Sequence, residues 1–208
     1  GEINSIVQDG TGNMWFATWT GLIRHNGYSF KIYQPVLGDS SSLPEKKIKF
    51  LYTDSKDNLW IVSSLNVSRF KPDTESFQTY RFESFLPGNI NVMFISEISN
   101  HLVFYAPEGL FFLPLDEAEK ENVQIKSLQI FENGQQVIDY YQYLGAFRDV
   151  LVLVKNITDG PSQLFLSHLN TEKEPFLVID TLLQLDEHVN HIENSGLNDL
   201  LYIATTNG

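Results

Sequence analysis

The 208-residue chain contains no cysteine, which excludes a disulfide framework and a thiolate metal site while leaving the compartment open. Cations are scarce: 14 Lys+Arg stand against 26 Asp+Glu, a formal net charge of -12. A phosphate backbone would be repelled by most of such a surface, so no nucleic acid is expected as a partner. No apolar run approaches the roughly 18 residues that span a bilayer, and Gly1 opens no signal-peptide pattern. Direct membrane contact is therefore not expected of this chain, and any leader or anchor would lie outside it. A G-x-S-x-G elbow is missing, as is any cysteine nucleophile, and the histidines are scattered. His188 and His191, three apart at the start of an expected strand, face opposite sides and make a poor metal pair. No catalytic residue, metal ligand or cofactor is assigned.

What is present is a globular composition, 42% hydrophobic and 19% charged, with an internal repeat. The segment INSIVQDGTGNMWFATWTGLIRH from Ile3 returns as IKFLYTDSKDNLWIVSSLNVSRF from Ile48. Trp15 and Trp60 are its anchors, 45 residues apart, and each follows an aspartate, Asp9 or Asp54, by six residues. Weaker copies centre on apolar runs at Val103, Leu151 and Tyr202, giving anchor spacings of 45, 43, 48 and 51. This is the length of a four-stranded propeller blade. The approximate units are 1–42, 43–85, 86–133, 134–184 and 185–208, the last incomplete. The fold class is thus all-β: a β-propeller fragment of about four blades plus the first strands of a fifth, with four antiparallel strands per blade.

Two of its local features carry the reading. DGTGN is expected as the hairpin between the first two strands, with Asp9 and Asp54 bonding to turn amides rather than to a metal. MWFA, apolar on both faces, reads as a middle strand packed between blades, which puts Trp15 in the core. Six residues after the anchors stand Gly21, Asn66, Gly109 and Gly208, types that tolerate positive φ, so a tight turn is expected there.

The IVQDGTGNMWFATWTGLIR and LYTDSKDNLWIVSSLNVSRF units, with the lead-ins Leu43-Pro44 and Leu86-Pro87, resemble the two-component regulator propeller repeat. That family occurs in periplasmic sensor regions of bacterial hybrid two-component systems, especially in Bacteroidetes. Units three to five lack the tryptophan, and the fourth carries the insertion NITDGPSQ before its third strand. The resemblance implies a periplasmic ligand-sensing propeller, a homodimer in the full receptor, and a histidine kinase beyond this chain. It also implies that the chain is a piece of a ring, with open sheet edges through which the fragment can self-associate. The glycosylation sequons at Asn66 and Asn156 carry no meaning in a bacterial protein.

Candidate binding residues come from aligning the inner strands. One column reads Ile3, Ile48, Ile90, Ile138 and Val189, and the next reads Asn4, Lys49, Asn91, Asp139 and Asn190, all polar. Radial repetition would gather these at one end of the central channel, either as a ring of donors and acceptors for a ligand or as a lining satisfied by water. The turns between second and third strands reach the same end, bringing Trp19, Thr20, Ser64, Asn66, Glu108, Asn156, Thr206 and Asn207. An exposed Trp19 would offer a flat apolar face to a sugar, so the expected ligand is an oligosaccharide or another small polar molecule. Two alternatives stay open: a propeller enzyme of lyase or lactonase type, which needs an acid/base or metal cluster on the axis, and a protein-binding scaffold that uses the same end.

Overall fold

The computed structural model describes residues 2–83, 90–137, 141, 143–147, 149–158, 160–172, 174–194 and 201–206. Regular structure in it is carried by 19 strands, and no helix occurs among the described residues. The chain divides into two compact units, Gly1–Val92 with Lys120–Ile125, and Met93–Glu119 with Lys126–Gly208.

In the first unit, β1 (Ile3–Gln8), β2 (Met14–Thr18), β3 (Gly21–His25) and β4 (Phe30–Tyr33) form one antiparallel sheet in chain order. The second repeat builds the same sheet from β5 (Ile48–Thr53), β6 (Leu59–Ser63), β7 (Val67–Lys71) and β8 (Ser76–Phe82). The period of two along β2 sends Trp15 and Ala17 to one face, where they meet Leu22 and Tyr33 from β3 and β4. That face packs on Leu51, Ile61, Phe70 and Phe77 of the second sheet. Trp15 meets Phe70 edge-on at 4.8 Å, and Tyr33 meets Phe77 at 5.4 Å. Trp15 and Trp60 are each 0% exposed, as expected of core anchors. All five residues of β6 are buried, which accounts for LWIV being apolar on both sides. The opposite face of the first sheet carries a row across all four strands, Ile6, Phe16, Ile23 and Ile32, whose ends are more than half exposed.

Polar ties join the two sheets as well. Glu75, at positive φ in the β7–β8 turn, accepts from Arg24 at 2.6 Å and from Lys31. Those two hydrogen bonds, Lys31 first, hold the Glu75 carboxyl below its ordinary range. Asp57 accepts the Gly10 amide at both oxygens, 2.7 and 2.9 Å, an approach so close that a Cβ on Gly10 would lie 2.4 Å from Oδ2.

The second unit holds β9 (Phe94–Ile98), β10 (His101–Ala106), β11 (Gly109–Pro114) and, from Lys126 on, β12 (Gln124–Glu132) as a third antiparallel set. After the short β13 (Gln135–Val137) come β14 (Tyr143–Phe147), β15 (Val150–Lys155), β16 (Ser162–Asn170) and β17 (Phe176–Leu185), again antiparallel. A last pair, β18 (Val189–Asn194) and β19 (Leu201–Thr205), follows. The core of this unit is aliphatic and aromatic, with Val103, Leu110, Leu151, Leu153 and Phe165 among its buried members. The nine-residue β12 adds pairing that the repeat does not contain. Gln124 and Ile125 run parallel to Arg81 and Phe82 in the first unit, while Gln129 to Glu132 run parallel to β17 in the second.

Candidate functional site

The Asp9 loop is scaffold. Asp9 Oδ1 accepts the amides of Thr11 and Asn13 at 3.1 and 2.9 Å, and Oδ2 accepts the Trp15 indole N–H at 2.7 Å. Asp54 does the same with Lys56, Asn58 and Trp60, at 2.9, 2.9 and 2.8 Å. The six-residue step from aspartate to tryptophan is therefore a bond: a buried indole needs an acceptor, and the hairpin delivers one. Gly12 at φ 87 and Asp57 at φ 62 occupy the matching left-handed position of the two loops.

The polar inner column sits at breaks in strand register. In β1, β5 and β18 the pairing skips one residue, and the residue skipped is Asn4, Lys49 or Asn190. A bulged residue is freed from the ladder, so its side chain is re-aimed. Asn4 Nδ2 donates to Ile48 O at 2.8 Å, tying the first inner strand to the second. Lys49 Nζ donates to Asn91 Oδ1 at 2.9 Å and to Val92 O. Burial pushes the Lys49 ammonium pKa down. Asn91 is exposed and lies ahead of β9 rather than within it, while Asn190 is exposed at the start of β18. Asp139 and Ile138 lie outside the described residues.

At the turn end of the first unit, Trp19 and Thr20 connect β2 to β3. Trp19 is 44% exposed, and its Nε1 points to Glu2 Oε2 at a long 3.4 Å. Thr18 Oγ1 closes the turn on Gly21 O at 2.7 Å. Gly21 has φ 142, and a Cβ there would lie 2.6 Å from Tyr33 O, so only glycine fits. Gly109 likewise has φ 139. The expectation of positive φ at Asn66 is corrected: its φ is not in that region. The β6–β7 turn is held instead by Ser63 N donating to Asn66 O at 2.9 Å and by Glu45, from the long connection after β4. Glu45 Oε1 accepts from Ser63 Oγ, Leu65 N and Asn66 Nδ2 at 2.9, 3.0 and 2.5 Å. The alignment of turn positions missed Glu45 because its partners lie about twenty residues downstream. Gly208 and Asn207 lie outside the described residues.

In the second unit, Glu108 stands exposed in the two-residue turn between β10 and β11. Asn156 bonds the start of β18, donating to Val189 O at 2.9 Å and accepting Val189 N at 3.0 Å. His188 bonds Ile157 O at 3.0 Å, and Thr206 N donates to His188 O at 3.0 Å. Among the described residues no group of three His, Asp or Glu could hold a metal ion, and no helix is long and apolar enough to cross a membrane.

The family model described as two component regulator propeller matches residues 1–20, the stretch from β1 through the Trp19–Thr20 turn. No curated protein matches the chain. Among solved structures, the chain is similar to the extracellular domain of the proposed one component system BT4673 from B. thetaiotaomicron. The TM-score is 0.61 at 15% identity, covering 98% of this chain and 28% of that one. The extracellular domain of the proposed hybrid two component system BT3049 from B. thetaiotaomicron matches with TM-score 0.55 at 17% identity, covering 98% and 32%. A catalytically inactive virginiamycin B lyase from Staphylococcus aureus matches with TM-score 0.55 at 14% identity, covering 97% and 69%. At these identities the common property is the fold, an all-β propeller fragment. The chain spans about a third or less of the two extracellular domains.

Proposed function

We propose that the chain is part of the extracytoplasmic sensor propeller of a hybrid two-component regulator, and that it binds a small polar ligand, an oligosaccharide first among them. The observation that carries the reading is the repeat itself, whose first copy matches the two component regulator propeller and ends on the half-exposed Trp19. An indole held at a rigid turn offers stacking area with little entropy to lose. The polar column contributes less to this reading than alignment alone implies, because Asn4 and Lys49 spend their donors on neighbouring strands. Binding is favoured over catalysis for the same reason: Lys49 and Glu45 are already engaged, and the Glu2 carboxylate stands beside the Trp19 indole. A ligand preferring one conformational state would shift a homodimeric receptor toward signalling, with kinase activity residing outside this chain.

Calorimetric titration of the full sensor region with a glycan panel tests this. Trp19→Ala should weaken binding severalfold, up to about tenfold, while the melting temperature stays near wild type. Unchanged affinity would remove Trp19 from the site, and the absence of any glycan ligand would remove the sensing assignment.

A further inference from the structure

The two faces of the first sheet differ in what meets them. Its Trp15 face is covered by the second sheet. The opposite face carries Ile6, Phe16, Ile23 and Ile32 in one row across all four strands, with Phe30 beside His25 in the next. The second repeat has Leu51 and Phe77 in the places of Ile6 and Phe30. Leu51 and Phe77 are 6 and 5% exposed, because Trp15, Leu22 and Tyr33 pack on them, whereas Ile6 and Phe30 are 52 and 69% exposed. The open face is also the more apolar of the two. Where the first sheet has Ile23 and Ile32, the second has Ser68 and Thr79, whose hydroxyls bond each other at 2.9 Å. A face selected to meet water would reverse that order.

The repeat shows what covers such a face. Within the first unit the covering surface is that of a β1–β2 hairpin, an aromatic anchor followed two residues on by alanine, Trp15 and Ala17. β18 and β19 rebuild that hairpin: LYIAT at Leu201 answers MWFAT at Met14, and the register skips Asn190 as it skips Asn4. Ile203, in the place of Phe16, packs with Val152, Val154 and Leu164. Strand alternation sends Tyr202 and Ala204 to the other face, and both are exposed. An anchor face thus lies open on the second unit, and a face of the kind that receives anchors lies open on the first.

We propose that these two surfaces meet between copies of the chain. The Tyr202 face of one copy stacks on the Ile6 and Phe16 face of another, as the Trp15 face stacks on Leu51 and Ile61. The two patches differ, so the contact is heterologous: a dimer leaves one patch of each kind free, and assembly proceeds head to tail. Faces stack in this contact, and the outer edge of β4 takes no part. The net charge of -12 on every copy opposes it, so salt should tighten an association that apolar burial drives.

Sedimentation velocity of the 208-residue chain, run at rising concentration and at low and high salt, tests this. The chain should form oligomers that grow with concentration and with salt. Ile6→Lys and Tyr202→Glu should each weaken association at least about tenfold at an unchanged melting temperature, since each buries an unpaired charge in the contact. Mixed together, the two variants should form a dimer and nothing larger, because each retains the patch that the other lacks. A monomer at every concentration, association that weakens with salt, wild-type association in either variant, or a mixture that stays monomeric would each overturn the proposal. If either variant melts early, cysteines placed in a chain that has none of its own decide. A short bis-maleimide should link Ile6→Cys to Ala204→Cys in preference to linking either variant to itself. Self-linked dimers alone, or no linkage, would overturn the contact.

Discussion

The first two hairpins and the third solve one problem in different ways. In β1–β2 and β5–β6 a five-residue loop carries an aspartate that accepts both turn amides and a buried indole N–H. In β9–β10 the connection is only Ser99 and Asn100, both left-handed at φ 47 and 60, and the anchor position holds Val103. A valine has no polar atom to satisfy, so the loop needs no carboxylate and can shrink to a two-residue turn of the kind that matches strand twist. Tryptophan and aspartate therefore come and go together. The fourth group keeps the apolar solution with Leu151 at 0% exposure. The third and fourth groups form their sheets without the Asp–Trp pair, while in both hairpins that bury an indole a carboxylate accepts its N–H.

The sharpest way to break that comparison is to remove the anchors. Trp60→Ala should cost about 3 to 5 kcal/mol, since it leaves a large cavity and also strips a buried carboxylate of its donor. Leu151→Ala should cost about 2 to 3 kcal/mol, the low end for a large-to-small core change, because nothing polar is stranded. Urea midpoints measure both, and equal losses would mean that the polar bond adds nothing. Next in size is Asp54→Ala, at about 2 kcal/mol, because Asp54 is 5% exposed and the Trp60 N–H it serves has no route to water. In a Trp60→Phe background the same substitution should cost about half as much. A double-mutant cycle that came out additive would show the pair to be uncoupled.

Much of this was legible in the sequence for a physical reason. The repeat, the core tryptophans and the Asp9 and Asp54 turn bonds are local patterns, set within about a dozen residues by strand alternation and hairpin chemistry. What stayed hidden is non-local. Alignment put Asn4, Lys49 and Asn190 in one column, but only the structure shows that each is skipped in register and that Asn4 reaches across to Ile48. Asn66 was placed with the glycines by type, yet its turn is set by Glu45. LDEAEKEN reads in the sequence as a solvated polar run. Yet the Lys120 carbonyl within it accepts from Gln78, and the chain just beyond it pairs with the edge of β8, a pairing that no repeat encodes.

The smallest expected effect separates the two aspartates from each other. Burial pushes the Asp9 carboxyl up, but hydrogen bonds from Trp15, Asn13 and Thr11 together outweigh it and hold the group below the ordinary aspartate value. A carboxyl depressed in the folded state binds fewer protons there than in the unfolded chain at the same pH. Its contribution is therefore complete above the unfolded value, about 3.9, and is lost as pH falls through the folded one. Asp9→Asn cannot ionise, so this part of the acid dependence should vanish while the amide oxygen still accepts some of the loop's donors. Urea midpoints for wild type and Asp9→Asn, taken from pH 7 down to the acid limit of folding, should stand apart at neutral pH and converge below about pH 4. Because Asp9 is only half-buried, the separation should be modest, smaller than the loss from Asp54→Ala. Parallel curves at all pH values would mean that the loop tolerates a neutral partner equally well, and that the Asp9–Trp15 bond owes its strength to geometry rather than to charge.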